Sequence, residues 1–188
     1  PELRMELLRT ASMYQFQHVL NEGEQYLLEN LSLKNCLETL FLADACAMNS
    51  AYNKARVLAS WNFDEVTKSS TADTEFLLLS LEEVIEYLSF DSLNINSEDQ
   101  VLHAVLNWIE KYEERQKEMV QLLRTLRLEC LDVDCLKDLK SHPYIKHNTE
   151  ATTLIEEAES IQQKSSSKKG QVVCYMLNSI FVANIFVK

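Results

Sequence analysis

Glycine and proline are almost missing from this chain: 188 residues hold only Gly23, Gly170, Pro1 and Pro143. A β-sandwich or a doubly wound α/β fold needs many more turn-forming residues, so the scarcity points to helices joined by short polar loops. Basic charge is also short, with 18 Lys and Arg against 29 Asp and Glu and a net charge of −11. A nucleic-acid surface needs clustered cations to displace counterions from phosphates, so that class is excluded and the acid reads as general solubility. Five cysteines (Cys36, Cys46, Cys130, Cys135, Cys174) are an odd number set in apolar helical patterns, with no secretory signal before them. They read as small core residues of a reducing compartment. A chain opening at Pro1 reads as a piece cut from something longer.

What is present is helical periodicity in 46% apolar composition, enough for one sizeable core or two small ones. Leu3, Leu7, Leu8 and Ala11, then Val19, Leu20, Tyr26 and Leu27, predict helices from Glu2 to about Gln15 and from about His18 to Asn30. Ser32 is a candidate cap for the next helix, whose buried stripe is Leu33, Cys36, Leu37, Leu40, Phe41, Asp44, Ala45 and Met48, about four turns long. After a short break near Asn49 and Ser50, "AYNKARVLASWNFDEV" predicts one antiparallel partner. The polar run "TKSSTADTE" (67–75) is an internal loop.

Ser80 with Glu83 predicts a capping box opening a helix that buries Leu81, Val84, Ile85 and Leu88. Ser97 with Gln100 predicts another, with Glu98 and Asp99 placed for the helix dipole. Behind it Val101, Ala104, Val105, Trp108, Ile109 and Tyr112 form one face that turns Trp108 into the core. "EKYEERQKE" reads as a charged link before a returning face of Met119, Val120, Leu122, Leu123 and Leu126. Weaker helices are expected near 132–140 and 149–162. "KSSSKKG" has linker composition.

Candidate chemistry is thin. Cys130, Cys135, His142 and His147 offer four zinc-type ligands, but their central gap of six residues is about half that of a zinc finger, so core cysteines are favoured over a metal site. No P-loop, G-x-S-x-G or H-E-x-x-H occurs, and adjacent pairs such as Glu82 with Glu83 splay about a helix. No cofactor and no catalytic residue is expected. The tail from Val172 to Val187 spans roughly 24 Å as a helix, short of the roughly 30 Å hydrocarbon layer, and Asn178 and Asn184 interrupt it. A strand leading into a following domain is the preferred reading, ahead of a divergent terminus or a tail anchor.

Residues 31–160 resemble a BACK domain, the helical module of BTB-BACK-Kelch proteins. The resemblance rests on "FLLLSLEEVIEYLSFDSLNINSEDQVLHAVLNWI" followed by "LLRTLRL", with Asn94, Ser97, Glu98, Trp108 and Arg127 at the signature positions. Upstream, "NCLETLFLAD" and "NFDEV" resemble the first BACK helices, called the 3-box, and residues 1–30 resemble the last two helices of a BTB domain. The resemblance therefore implies an all-α fold of stacked antiparallel helix pairs. Its parts would be a BTB end at 1–30, a BACK domain at 31–163 with its 3-box at 31–66, a linker at 164–170 and a tail at 171–188 that could lead into a Kelch propeller.

The same resemblance implies a non-catalytic adaptor segment in a substrate-recognition subunit of a cullin-3 ubiquitin ligase. Its partners would be cullin-3, held through the parent BTB plus 3-box, a second copy of the parent protein, and a protein substrate held by a Kelch domain not present here. Nucleic acid and membrane are not implied, and the location would be cytoplasmic or also nuclear. Leu33, Asn35, Leu37, Leu40 and Phe41 are the candidate cullin-facing residues, although most lie on an apolar helical face that packing alone would explain. Rival classes are a helical scaffold unrelated to ubiquitin and a small all-α metal protein.

Overall fold

The computed structural model describes residues 2–68 and 74–166, with side chains from Met5 to Lys164. Among the described residues there are eleven α-helices, two 3-10 segments and no strand, as the scarcity of turn formers predicts. The chain divides into two compact units, one spanning Pro1–Asn94 and one beginning at Ile95.

The first unit contains α1 (Glu2–Met13), α2 (Gln17–Asn30), α3 (Cys36–Ala45), α4 (Asn49–Trp61), α5 (Phe63–Thr67), α6 (Glu75–Leu78) and α7 (Leu81–Leu88). Helices α1 and α2 pair closely at Gly23, where an added Cβ would lie 2.2 Å from a Leu8 methyl. Their buried Leu8, Ala11 and Leu20 join Leu42, Ala43, Cys46, Met48 and Ala51 in one apolar cluster. Along α4, Ala51, Ala55 and Ala59 recur every four residues and are fully buried, so these small side chains let α3 and α4 lie close together.

Helix α3 departs from the expected stripe. It is ten residues long, about three turns instead of four. Asp44 and Ala45 are exposed, while Cys36, Leu37, Thr39, Leu40, Leu42 and Ala43 are buried. The reason is that α4, α1 and α6 all pack on it, so it has no single buried side. The expected single helix from Ala51 to Val66 is also two, broken at Asn62, whose side-chain amide donates to Leu58 O at 2.8 Å. The break turns Phe63 inward to stack on Tyr87 at 5.9 Å between ring centroids. Tyr87 is itself anchored by its hydroxyl donating to Ala59 O at 2.9 Å.

The capping box at α7 is present: the Ser80 amide donates to the Glu83 carboxylate at 2.8 Å and the Glu83 amide to Ser80 Oγ at 3.3 Å. Two other helix ends use residues the sequence does not mark. Gln15 and Ala47 have φ of 58° and 55°. In each case the next amide reaches back five residues, Phe16 N–H to Ala11 O and Met48 N–H to Ala43 O, which is the Schellman arrangement with a non-glycine in the left-handed position.

The second unit contains α8 (Glu98–Glu110), a 3-10 segment Glu113–Glu118, α9 (Met119–Leu123), a 3-10 segment Leu128–Cys130, α10 (Val133–Ser141) and α11 (Thr149–Ser166). Val101, Ala104, Val105, Trp108 and Ile109 are buried as expected, and Leu102 joins them, but Tyr112 is 41% exposed. The Ser97–Gln100 capping box does not form. Ser97 makes no side-chain cap bond, the Gln100 amide donating to Ser97 O at 3.2 Å, and Gln100 Oε1 accepts from the Asn96 amide at 2.8 Å instead of the Ser97 amide. The charged link is the 3-10 segment, and the returning helix α9 is five residues long. Helix α11 runs to Ser166, into the span expected as linker. The rest of that linker, the tail reading and residues 69–73 of the polar loop lie outside the described residues.

Candidate functional site

The turn entering α3 carries the candidate partner-facing residues, and the fold divides them. Leu37 and Leu40 are fully buried within the first unit, Phe41 is half-buried, and Leu33 is 38% exposed. Leu33 is exposed here, and Asn35 and Phe41 are half-buried. Asn35 is tied down by the loop itself: its Oδ1 accepts from the Ser32 amide at 2.7 Å and from Ser32 Oγ at 3.0 Å, and its Nδ2 donates to Asn30 O at 3.0 Å. Ser32 therefore serves Asn35 and is not the cap of α3; Asn35 occupies that position without a side-chain cap bond.

The amides at the start of α3 are satisfied from elsewhere in the sequence. Glu75, first residue of α6, accepts from Leu37 N–H at 3.1 Å. Glu24 of α2 does the same for α4, accepting from the Ser50 and Ala51 amides at 2.8 and 3.1 Å. Free backbone donors in a helix's first turn favour a carboxylate there. Sequence reading missed both because the glutamates stand 38 and 26 residues from the amides they serve.

Asn94, Glu98, Trp108 and Arg127 among the signature positions are structural fasteners. Asn94 closes the first unit: its amide N–H donates to Ser60 O at 2.8 Å and its Nδ2 to Trp61 O at 3.1 Å, filling two carbonyls left over at the end of α4. In the second unit the Glu98 side chain is 5% exposed and paired with Arg127. Its carboxylate accepts from the Arg127 backbone amide at 3.0 Å and from Nε at 3.1 Å. Asp99 accepts from the Asp132 amide at 3.1 Å. The two acids of the α8 first turn thus hold distant backbone as well as sitting at a helix start. Trp108 is 2% exposed, and the Arg115 guanidinium lies 3.8 Å from its ring centroid and donates to Trp108 O at 2.9 Å. Arg115 sits in a segment whose sequence suggests only a charged link.

The thiols are poorly suited to nucleophilic chemistry. Burial, with Glu75 adding, pushes Cys36 up to about 12, and burial followed by the neighbouring Asp99 pushes Cys135 up to about 11. Among the described residues no three His, Cys, Asp or Glu side chains are grouped so as to hold a metal. Cys130 and Cys135 are half-buried instead of lying in the core, His147 is exposed, and His142 Nε2 stands 3.4 Å from Glu110. No helix among the described residues is long and apolar enough to cross a membrane.

Paired helices fastened by caps and ion pairs around an apolar core define an all-α helical module. The chain belongs to the BACK (BTB And C-terminal Kelch) family, whose profile matches residues 36–141. It is 31% identical over 153 residues to human Kelch-like protein 5, covering 81% of this chain and 20% of that protein. Human Kelch-like protein 17 is 32% identical over 154 residues, 81% of this chain and 23% of the relative. Mouse Kelch-like protein 25 is 32% identical over 150 residues, 79% and 25% respectively. The chain thus spans a fifth to a quarter of the length of these relatives.

Proposed function

We propose that this chain is a non-catalytic adaptor segment of a cullin-3 ubiquitin ligase's substrate-recognition subunit. It holds a Kelch substrate domain in fixed geometry relative to a BTB end that meets the cullin. The observation that carries this reading is the BACK match across both compact units, alongside Kelch-like relatives over four-fifths of the chain. The physical chemistry agrees, since stiff helix pairs with fastened ends transmit orientation and need no reactive group. The domain layout follows the same reading, with a BTB end at 1–30, BACK at 31–163 and its 3-box at 31–66. So do a dimeric parent protein, a cytoplasmic or also nuclear location and an unidentified protein substrate.

Within the 3-box, Leu33 and Phe41 are the residues that face the cullin, while Leu37 and Leu40 support them from the core and Asn35 shapes the turn. Calorimetric titration of the cullin-3 N-terminal domain into the parent protein tests this. The intact protein binds, and Leu33→Ala with Phe41→Ala weakens binding at least about tenfold, about 1.4 kcal/mol, while the circular dichroism spectrum is unchanged. Absence of binding by the intact protein would leave a helical scaffold whose partners lie outside the ubiquitin system.

A further inference from the structure

The first turn of α3 lacks the cap that its own sequence should supply. Asn35 stands at the cap position, where a side-chain oxygen ordinarily accepts from the amide two or three residues on. Its Oδ1 is spent instead on the Ser32 amide and hydroxyl, and its Nδ2 on Asn30 O. Leu37 follows that cap by two positions, and its amide finds the Glu75 carboxylate at 3.1 Å. Half-buried at the start of α6, Glu75 thus does from 38 residues away what Asn35 does not do locally.

The same turn carries Leu33. The Asn35 amide donates to Ser32 O at 3.2 Å, and the Cys36 thiol donates to Leu33 O at 3.5 Å. Cys36 and Leu37 are fully buried, so the turn is set from the core side. Leu33, 38% exposed, therefore rides on a short segment fastened at both ends: Asn35 ties it to the end of α2, and Cys36 with Leu37 ties it to the start of α3.

We propose that Glu75 is a positioning residue for partner binding: by holding the Leu37 amide it fixes the first turn of α3, and with it the place from which Leu33 is presented. This rests on the adaptor reading, in which Leu33 meets the cullin. A side chain already held in the free protein does not have to be ordered when the partner arrives, a saving of about two- to tenfold in affinity. Glu75 acts through Leu33 and not by touching the partner.

Backbone 15N relaxation on the intact chain reads this hold without any partner. Leu33 is expected to show the order parameter of rigid backbone, about 0.85, and Glu75→Ala to lower it below about 0.6. Glu75→Gln keeps an acceptor for Leu37 and should keep Leu33 ordered. Glu75→Asp, one methylene shorter, should also loosen Leu33 and serves if Glu75→Ala does not fold. A Leu33 that is mobile in the unaltered chain, or equally ordered in every variant, would overturn the proposal. Calorimetric titration of the cullin-3 N-terminal domain into the parent protein is the second arm. There Glu75→Ala, or Glu75→Asp in its place, should weaken binding about two- to tenfold when Leu33 is present and have no effect in a Leu33→Ala background. An equal loss in both backgrounds would mean general damage to the unit and overturn the positioning role. Absence of binding by the intact parent protein would remove the adaptor reading, while the relaxation arm still decides whether Glu75 holds the turn.

Discussion

The two compact units solve the same problem, joining short helices with few turn residues, with a shared device that the first supplements by close helix approach. In the first, small side chains let helices approach, with Ala51, Ala55 and Ala59 lining α4 and Gly23 admitting Leu8 against α2, and Glu24, Glu75, Tyr87 and Asn94 add clasps on distant backbone. In the second, side chains grasp backbone across the unit: Arg115 holds Trp108 O, Glu98 holds the Arg127 amide, Asp99 the Asp132 amide, and Gln162 Nε2 donates to Leu131 O at 2.7 Å. In both units the clasps go with the short elements and helix ends. Helices α2 and α4 have 14 and 13 residues and satisfy most of their own backbone, whereas α5 and α6 of the first unit have five and four residues and the second unit interposes elements of six, five and three between α8 and α10. Each helix end leaves backbone donors or acceptors unfilled, so short elements need outside partners.

Substitutions that remove one unit's device should therefore differ in size and in sign. The largest expected effect is Trp108→Ala, about 3–5 kcal/mol lost in urea unfolding, because a fully enclosed ring and its Arg115 cover go together. A loss below about 1 kcal/mol would mean that α8 does not turn this face inward. Glu98→Ala should cost about 2–3 kcal/mol, since it strips a charged acceptor from both the amide and the side chain of Arg127. Glu98→Gln, which keeps one acceptor, should recover part of that, as measured in the same assay. The smallest effect lies in the first unit and is a gain. Ala47→Gly should raise stability by about 0.5–1 kcal/mol, because the left-handed φ of 55° that strains alanine is free to glycine. A loss at Ala47 would show that its methyl packs better than its backbone suffers.

Much of this architecture was legible because its signals are local. The Ser80–Glu83 capping box and the inward Trp108 each depend on residues within one or two turns of each other. The failures share a cause too. Asp44 was read into a buried stripe because Leu33, Cys36, Leu37, Leu40 and Phe41 flank it at helical spacing, yet three packed neighbours reassign the whole circumference of α3. Gln100 was read as the partner of Ser97, but an amide one residue earlier competes for the same oxygen. Of the candidate site, Leu33 and Phe41 keep surface, whereas Leu37 and Leu40 were indistinguishable from them by spacing alone.

By itself the sequence determined the fold class and the family, because near-absence of glycine and proline, helical periodicity and the Asn–Ser–Glu–Trp–Arg order are properties of a string. Only the tertiary structure decided what the acids do. Glu24, Glu75, Glu98 and Asp99 look alike as contributors to a charge of −11, but each caps or clasps backbone between 26 and 38 residues away. The energy of a carboxylate depends on which unfilled donors folding brings to it, and that distance is not written along the chain.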